Sequence, residues 1–219
     1  MTKGISKLDM HVHTEVSRDS DMKLTAIEGY LKKHPVLAFA ILDHNEIKGA
    51  LELKQRLPHQ IIVGEEIKTN QGEVAGLFLQ ERIPHGKGVR WTVDAILEQG
   101  GLIYVPHPLD RMRTSRLSEE GLQEVIQHAH ILEIYNARNI FRADDQKAYT
   151  LATEQDILKG CGSDAHTRME LARSYISFAE PIALDQASLL VGLKQATPIM
   201  RRSFIGVHFI TKYKKMTLK

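Results

Sequence analysis

The chain contains a single cysteine, Cys161, so it cannot form an intramolecular disulfide, and this fits a reducing compartment. No apolar run approaches the roughly 20 residues that a membrane-spanning helix needs. Residues 1–4 lack the apolar segment of a signal peptide. From these absences we expect a cytoplasmic protein that has no membrane partner.

The chain also lacks a large net charge, which is only +2 over 219 residues. Nothing in this balance requires a nucleic-acid partner, and the sequence shows no stripe of interleaved aromatic and basic residues. Hydrophobic residues make up 42% of the chain, which is enough for an ordinary core. Because no linker, repeat or low-complexity segment interrupts the pattern, we interpret residues 1–219 as one domain.

Histidine, in contrast, is abundant with 11 copies, and two of them stand close together near the N-terminus. Residues 5–12 are typical of a short strand, whose side chains alternate between two faces. Asp9, His11 and His13 are therefore expected to point the same way, with Asp19 on the loop that follows. Two imidazoles and a carboxylate at the end of a strand make a poor core and a good metal site.

Alternating strands and helices are predicted along the rest of the chain. Apolar runs of strand length predict strands at residues 36–42, 61–63, 74–79, 102–105, 131–135, 157–162 and 174–178. Apolar residues at helical spacing predict helices at residues 24–33, 47–56, 91–99, 118–128, 143–155 and 184–194. This alternation indicates βαβ units, a parallel sheet and an α/β barrel.

Polar residues of the metal-ligand type follow the predicted strands at four further points. These are residues 43–45 (Asp-His-Asn), 64–66 (Gly-Glu-Glu), 106–108 (Pro-His-Pro) and 163–166 (Ser-Asp-Ala-His). Each stretch begins where an apolar run stops, and in a β/α barrel the carboxyl ends of the strands carry the chemistry. The sequence therefore predicts a metal site assembled from stretches that lie far apart along the chain.

Taken together, these motifs resemble those of the polymerase and histidinol phosphatase (PHP) superfamily, from about residue 7 to residue 166. The resemblance rests on Asp-Met-His-Val-His-Thr at 9–14, Leu-Asp-His-Asn at 42–45, Gly-Glu-Glu-Ile at 64–67, Val-Pro-His-Pro at 105–108 and Gly-Ser-Asp-Ala-His at 162–166. It implies a distorted (β/α)7 barrel of the PHP type that hydrolyses phosphate esters with two or three divalent metal ions. By this resemblance the metal ligands are His11, His13, Asp19, His44, Glu66, His107, Asp164 and His166.

The chain departs from this family at one position. Many relatives carry a histidine at the start of the strand after the Gly-x-Glu motif, whereas the nearest polar residue here is Glu73. Either Glu73 takes that ligand place, or the site holds one metal less tightly. Of the two adjacent glutamates, Glu66 fits the Gly-x-Glu motif and Glu65 is the weaker candidate.

The expected chemistry follows from the difficulty of hydrolysing a phosphate ester, whose oxygens are negative while water is a weak nucleophile. Two or more divalent ions roughly 3.5–4 Å apart lower the pKa of a shared water and neutralise charge on the phosphoryl oxygens. Glu66 is the natural bridge, since each of its oxygens can bind one ion. Mixed histidine and carboxylate ligands suit Zn, Mn or Fe, and we expect a hydroxide on the metals to be the nucleophile.

Residues expected to act in catalysis come from the ligands and from one loop. The ligands among them are His11, His13, Glu66, Asp164 and His166. The loop after His107 contributes Arg111 and Arg113, whose forked donors can clamp a phosphate, and Arg138 is a further candidate for contacting the substrate. A solvated loop face is the alternative interpretation of these arginines.

Three acidic residues near the ligands are candidates for supporting roles. Asp9 and Asp43 each lie close to a ligand histidine in sequence, so they can accept hydrogen bonds from ring N–H groups, with surface or capping roles as the alternative. Glu133 is a charged residue within an apolar strand. Such a residue needs a buried partner, which predicts a place inside the barrel near the metals.

We therefore expect a metal-dependent phosphoesterase that acts on a small phosphorylated metabolite or a nucleotide. The first alternative is a phosphodiesterase or nuclease acting on DNA, RNA or oligonucleotides, which the modest net charge disfavours. The second is a metal-bound scaffold without turnover, which the nearly complete ligand set disfavours. A third is hydrolysis of a C–N bond, because similar metal clusters support that reaction.

Overall fold

Nine strands and six helices are found in the described part of the computed structural model, which is residues 4–204, 206 and 207. The strands are β1 (Ile5–Val12), β2 (Leu37–Ile41), β3 (Ile61–Thr69), β4 (Gly72–Leu77), β5 (Leu102–Val105), β6 (Ile131–Asn136), β7 (Leu158–Gly162), β8 (Tyr175–Ile182) and β9 (Thr197–Ile199). The helices are α1 (Leu24–Lys32), α2 (Lys48–Arg56), α3 (Val89–Glu98), α4 (Glu119–Ile126), α5 (Arg142–Glu154) and α6 (Gln186–Leu193). Among these described helices, none has both the length and the apolar character needed to cross a membrane.

Strands β1 to β7 form the wall of a distorted, nearly closed barrel. They are hydrogen-bonded in the order β7-β6-β5-β4-β3-β2-β1, and β8 and β9 continue the sheet beyond β1. A parallel bridge between Val12 and Ala165 places the end of β1 beside the segment that follows β7, so the sheet almost closes on itself. The distorted barrel predicted from the sequence is confirmed.

The prediction of a parallel sheet is wrong at β4, which runs antiparallel to both β3 and β5. Only Asn70 and Gln71 separate β3 from β4, and a turn this short joins antiparallel strands, whereas parallel strands need a long crossover. Gly72 follows the turn with φ +125°, and a Cβ at this position would collide with the backbone of Leu117. Strands β8 and β9 are antiparallel additions at the other edge.

Strand β3 is longer than the sequence predicts, because it continues through the polar residues to Thr69. Its pairing with β4 places Glu66 opposite Ala75 and Lys68 opposite Glu73. Glu66 therefore lies within a strand, where the ladder fixes its backbone, and not on the loop that the end of the apolar run indicates.

A bulge in β1 changes which side chains share a face. The register between β1 and β2 shifts between Asp9 and Val12, where β1 has one residue more than its neighbour. Asp9 consequently bonds the backbone N–H of Ser163, whereas the Nε2 atoms of His11 and His13 face each other at 3.0 Å. The prediction that all three side chains point the same way is wrong for Asp9.

The core lies on both faces of the barrel wall. On β2, Leu37, Phe39 and Ile41 pack in the cluster that includes the apolar residues of α1 to α4, while Ala38 and Ala40 belong to a second, inner cluster. All five residues of the strand are buried, as expected for a parallel strand covered on both sides. This packing fixes the strand ends that carry the polar residues.

Candidate metal centre

Histidine and carboxylate side chains converge at one end of the barrel. Most of them lie at or just beyond the carboxyl ends of β1, β2, β5 and β7, which meet at one rim because the strands are parallel, and two lie on β3 and β4. Eight are the ligands expected from the sequence, and Glu73 is the ninth member. We call this set the ligand cluster: His11, His13, Asp19, His44, Glu66, Glu73, His107, Asp164 and His166.

The first group within the cluster is formed by His11, His13 and Asp164. The Nε2 atoms of the two histidines are 3.0 Å apart. The Oδ1 atom of Asp164 lies 3.3 Å from His13 Nε2 and 3.7 Å from His11 Nε2. Donor atoms that share one ion at about 2.0–2.2 Å lie roughly 3–3.5 Å from one another, so this spacing fits a common metal.

Glu66 lies between two parts of the cluster. Its Oε1 atom is 2.8 Å from His107 Nε2, and its Oε2 atom is 3.0 Å from His44 Nδ1 and 3.5 Å from His13 Nε2. The two oxygens of one carboxylate therefore face different histidines. This geometry fits the bridging role expected for Glu66.

Asp19 and His166 complete the side of the cluster nearest His44. The Oδ1 atom of Asp19 is 3.4 Å from His166 Nε2, and its Oδ2 atom is 3.7 Å from His44 Nε2. The ring of His13 lies between, with centroids 4.2 Å from His166 and 4.5 Å from His44. These three imidazoles form another group with ligand atoms close to one another.

Glu73 takes part in the cluster from β4. Its Oε1 atom is 3.7 Å from His44 Nδ1, its Oε2 atom is 4.0 Å from His107 Nε2, and its side chain is only 8% exposed. With His44 and Glu66 it forms a further group whose ligand atoms lie within 4.8 Å of one another. In the sequence, only its position after the Gly-x-Glu motif indicated Glu73 as a possible ligand.

Unsatisfied oxygens provide a test of whether cations fit this cluster. Within the described residues, Glu66 Oε2, Glu73 Oε2 and Asp164 Oδ1 are buried and form no hydrogen bond of good geometry; the nitrogens near them belong to imidazoles of the cluster, such as His44 Nδ1 at 3.0 Å from Glu66 Oε2. A buried carboxylate oxygen without a donor is costly, and a bound cation removes that cost. The donor set of imidazoles and carboxylates therefore fits divalent metal ions.

The pKa values of the histidines follow from burial and from the charges around them. Burial lowers the pKa of His13 well below its ordinary value, and the neighbouring His166 and His44 add to this effect. A neutral imidazole has the lone pair that a metal ligand needs. Burial also acts to lower the pKa of His11, but the negative charge of Asp164 and nearby carboxylates outweighs it and raises that pKa well above its ordinary value.

The pKa values of the cluster carboxylates also follow from burial and from the charges around them. Burial raises the pKa of Glu73, and the negative charge of Glu66 raises it further. Burial acts to raise the pKa of Asp164 too, but the positive charges of Arg113 and His11 hold it well below its ordinary value. A cation placed between Glu66 and Glu73 would relieve the repulsion between them.

Three further carboxylates, which we call the supporting carboxylates, lie next to the cluster: Asp9, Asp43 and Glu133. Glu133 accepts hydrogen bonds from the hydroxyl of Tyr104 at 2.7 Å and from the backbone N–H of His107 at 2.6 Å. Its Oε1 atom also lies 3.2 Å from Nδ1 of His11, so the Nε2 atom of that ring points into the cluster. The place of Glu133 inside the barrel is the one predicted.

Asp9 and Asp43 hold backbone and hydroxyl groups, and in the described part of the chain neither hydrogen-bonds to a ring nitrogen. Asp9 accepts from the backbone N–H of Ser163 at 2.8 Å and from its hydroxyl at 2.5 Å. Asp43 accepts from the backbone N–H of Thr14 at 2.7 Å and from the hydroxyl of Ser17 at 2.7 Å. Each carboxylate thus ties one ligand-bearing stretch to another.

The arginines predicted to contact substrate are paired with acidic residues. Arg111 bonds the carboxylate of Asp144 through Nε at 3.0 Å and Nη2 at 2.6 Å, and no atom of the ligand cluster is among its described partners. Arg113 bonds Asp164 through Nη2 and Asp110 through Nε. A substrate contact by either residue stays a prediction, and only Arg113 is at the cluster.

Arg138 lies beside the cluster on the opposite side. Its Nη1 atom is 2.7 Å from Nδ1 of His166, and the residue is buried. Glu170 is 3.4 Å from the Nε atom of Arg138 and also accepts from the backbone N–H of His166 at 3.1 Å. This arrangement orients the His166 ring and buries Arg138, which makes a direct substrate contact by Arg138 less favourable than the sequence indicates.

Two residues of the cluster have a strained backbone. His107 and Asp164 have positive φ values of 29° and 53°, which side-chain-bearing residues adopt at an energetic cost. Such strain of about 1–3 kcal/mol persists where the surroundings hold it, often at functional sites. Gly162 permits the close approach of β7 to β1, since a Cβ there would collide with the Cβ of His11.

Comparison with known proteins agrees with this geometry. A family model described as PHP-associated matches residues 143–198. The chain is also 36% identical over 177 residues to the Methanocaldococcus jannaschii protein MJ0417, a match that covers 80% of this chain and 71% of that protein.

Two solved structures share the fold. One is a two-domain protein of Bacteroides vulgatus containing a predicted PHP-like metal-dependent phosphoesterase, with a TM-score of 0.69 and 14% identity over 95% of this chain and 69% of that chain. The other is a lesion-specific endonuclease of Pyrococcus furiosus, with a TM-score of 0.53 and 13% identity over 86% of this chain and 56% of that chain. The fold, the motifs and the matching family model agree, and the chain belongs to the polymerase and histidinol phosphatase (PHP) superfamily.

Proposed function

We propose that this protein is a metal-dependent phosphoesterase that hydrolyses a small phosphorylated metabolite or a nucleotide. The observation that carries the proposal is the ligand cluster, in which histidines and carboxylates from separate stretches of the chain meet at one end of the barrel. Three buried carboxylate oxygens of that cluster lack a hydrogen-bond donor among the described residues. The barrel shared with a PHP-like phosphoesterase supports the same conclusion.

The proposed cofactors are two or three divalent ions, with Zn, Mn and Fe as the candidates. His11, His13 and Asp164 would hold one ion, and Glu66 would hold a second together with members of the adjacent groups. Ions bound in this way lower the pKa of water and neutralise charge on phosphoryl oxygens. His166 and Asp19 would complete the site on the side of His44.

The side chains of this protein would bind and orient the phosphate. The side chain of Arg113 is 20% exposed, so part of its guanidinium can be reached from outside while Asp164 and Asp110 hold it in place. A guanidinium has five N–H donors, and donors therefore remain for a phosphoryl oxygen. Arg111 is held by Asp144, which is not a member of the ligand cluster, whereas Arg113 bonds the cluster member Asp164, so we propose Arg113 as the arginine that contacts the transferred group.

Glu73 is proposed as a metal ligand in the position where many relatives carry histidine. Its unsatisfied, buried Oε2 atom and its place in the group with His44 and Glu66 support this role. A carboxylate adds a negative charge and a hard oxygen donor, which favours Mn relative to Zn. The substitution therefore changes the metal preference expected for this site.

The proposal is tested by assaying metal-free protein after loading with Mn, Zn or Fe. The substrates are p-nitrophenyl phosphate, bis-p-nitrophenyl phosphate, nucleoside monophosphates and a single-stranded DNA oligonucleotide. We expect metal-dependent release of phosphate from monoesters. Bound metal without turnover on any substrate would contradict the proposal and support a scaffold.

A phosphodiesterase or nuclease is the second candidate function. The likeness of the barrel to that of a lesion-specific endonuclease favours it. The same panel separates the two candidates, because a nuclease would cleave the diester or the oligonucleotide and leave the monoesters intact. Product release from diesters alone would replace the proposed function with this one.

A further inference from the structure

A cavity of about 690 Å³ opens directly over part of the ligand cluster. Three cluster members, Asp19, His44 and Glu73, line it. A second, larger cavity of about 1030 Å³ lies along the loop that carries Arg111 and Arg113, but no member of the ligand cluster lines that one. We call the first cavity the mouth, since three cluster members line it; the second cavity is lined by Arg113, which bonds the cluster member Asp164.

The mouth has an excess of basic side chains on its wall. Besides the cluster members, its charged and titratable lining residues are Arg18, Glu46, Lys48, Lys68, Arg82 and His85. Lys48 has an acidic partner, with its Nζ atom 3.6 Å from Glu46. Within residues 4–204, 206 and 207, the side chains of Arg18, Lys68 and Arg82 form no ion pair with an acidic side chain.

Unpaired cations on one wall of a cavity repel one another and create a field that attracts anions. The side chains of Arg18, Lys68 and Arg82 are exposed at the rim of the mouth. At its floor, Asp19 and Glu73 are buried and His44 is partly buried. At the floor, metal ions would take the phosphoryl group that is hydrolysed. The cations at the rim are then available for a different anionic group of the same molecule.

Size and chemistry narrow the class of ligand. Small-molecule sites have volumes of roughly 300–1,000 Å³, which includes the volume of the mouth. Arginine binds phosphate with paired donors, and lysine binds it as a point charge, so both residue types suit a phosphate group. The described lining of the mouth contains no phenylalanine, tyrosine or tryptophan, the large rings on which a run of bases stacks.

We propose that Arg18, Lys68 and Arg82 bind a second phosphate group of the substrate. The preferred substrate is therefore a small phosphate ester that carries at least one phosphate besides the one hydrolysed. This inference rests on the proposed function, which assigns hydrolysis to the ligand cluster. It concerns different residues, and it requires that the ligand carry a second phosphate.

The test compares two ligands that differ by one phosphate, propyl phosphate and propane-1,3-diyl bisphosphate. Their affinities for Mn-loaded protein are measured by calorimetry. We expect the bisphosphate to bind at least about tenfold more tightly, because charge-assisted hydrogen bonds to a second phosphate contribute at the rim. Raising the salt concentration should weaken the bisphosphate more than the monophosphate, since exposed charges are screened.

Variants assign this difference to residues. Lys68→Met and Arg82→Gln should each reduce the preference for the bisphosphate, the double variant should reduce it further, and the triple variant with Arg18→Gln should abolish it. Arg116→Gln is the matched control for Arg82→Gln, because Arg116 is exposed and lines only the other cavity, so the same loss of charge should leave the preference unchanged; Lys68 lines both cavities. An equal loss in Arg116→Gln would overturn the assignment to the mouth.

Other outcomes are equally decisive. If wild-type protein hydrolyses p-nitrophenyl phosphate but binds both ligands equally, this inference fails and the proposed function stands. If no ester is hydrolysed while the bisphosphate is preferred through Lys68 and Arg82, the proposed function fails and the second phosphate site stands. Binding of an oligonucleotide far more tightly than the bisphosphate would overturn the assignment to a small molecule.

Discussion

The ligand cluster and the supporting carboxylates are adjacent, but they satisfy their buried charges in different ways. Both oxygens of every supporting carboxylate accept hydrogen bonds from backbone, hydroxyl or amide groups of the protein. In the described part of the chain, Glu66, Glu73 and Asp164 each keep one buried oxygen without a donor. Every oxygen of the supporting carboxylates thus has a hydrogen-bond donor within the protein. The three oxygens of the cluster without a donor would be satisfied by bound cations.

This difference separates the carboxylates that stabilise the fold through hydrogen bonds from those that we propose as metal ligands. A hydrogen-bonded buried carboxylate contributes to folding, because removing it leaves donors without partners. The oxygen without a donor on Glu66, Glu73 or Asp164 would stabilise the fold only through a bound cation, although the second oxygen of Asp164 is held by Asn136 in the protein alone. Substitutions in the two regions should therefore respond differently to the presence of metal.

The largest effect is expected for His11→Ala and Asp164→Ala. Each variant should lower metal-dependent hydrolysis by more than about a hundredfold, the upper limit for residues that merely orient a ligand. Far-UV circular dichroism should show that the fold survives, since the supporting carboxylates are intact. His59→Ala, which removes an exposed histidine, is the matched control. Full activity in either cluster variant would remove that residue from the site.

A loss of stability without a metal requirement is expected for Asp9→Ala. The substitution leaves the backbone N–H and hydroxyl of Ser163 and the backbone N–H of Ala172 without their acceptor. At about 1–3 kcal/mol for each buried group, the free energy of unfolding should fall by at least about 3 kcal/mol. Urea unfolding of the metal-free protein measures it, with Asp94→Ala, which removes a half-exposed carboxylate paired with Arg90, as control. No change in the urea midpoint would show that Asp9 is not a structural tie.

An intermediate result is expected for Glu133→Gln, which connects the two regions. A glutamine has one oxygen, so it cannot accept from both the Tyr104 side and the His107 side. Metal affinity should fall about 10–100-fold because the ring of His11 is less well oriented. Titration calorimetry measures this, and Tyr104→Phe, which keeps the carboxylate, should give a smaller decrease. An unchanged affinity would show that Glu133 does not orient the ligand.

A change in metal preference is expected for Glu73→His. Replacing a carboxylate by an imidazole removes a hard donor, so the ratio of Zn to Mn affinity should rise by about tenfold. Glu73→Gln, which keeps the shape but removes the charge, should instead weaken both metals. Competition titrations provide the readout, and an unaltered ratio in Glu73→His would mean that Glu73 is not a ligand.

The smallest effect concerns Glu65, the neighbour of Glu66 on β3. Glu65 accepts from the backbone N–H of Ile83 at 2.8 Å, and burial raises its pKa from 4.5 to about 7. Since the folded state then holds the proton more tightly than the unfolded state, this group's stabilising contribution is complete below pH 4.5 and is lost as the pH rises to 7.

Glu65→Gln should remove that pH dependence while keeping an acceptor for Ile83. The difference in urea midpoint between variant and wild type should therefore grow in favour of the variant between pH 4.5 and 7. A constant difference across this range would show that Glu65 does not titrate there.

Much of the site could be predicted because its residues carry local signals. His11, His13 and His107 interrupt apolar runs at strand ends, and a repeated pattern of this kind points to one rim of a barrel. The antiparallel β4 was not predicted because the two-residue turn before it carries no Gly-rich signal of its own, and the preceding polar residues conceal the end of β3.

Pairing over long sequence distances could not be predicted. Arg111 lies close to Arg113 in sequence, yet Asp144 is in the first turn of α5 and Asp164 follows β7, and no local pattern indicates which arginine pairs with which carboxylate. The unpaired cations of the mouth come from separate stretches for the same reason. The density of basic residues in one loop therefore could not show which arginine lies at the cluster.

Metal stoichiometry tests the central claim most directly. Metal-free protein is dialysed against Mn and passed through a desalting column, and bound metal per chain is measured by inductively coupled plasma mass spectrometry. We predict two or three ions for the wild-type protein and fewer for Asp164→Ala. A wild-type protein that retains no metal, or a variant that retains as much as the wild type, would contradict the claim that this cluster holds divalent cations.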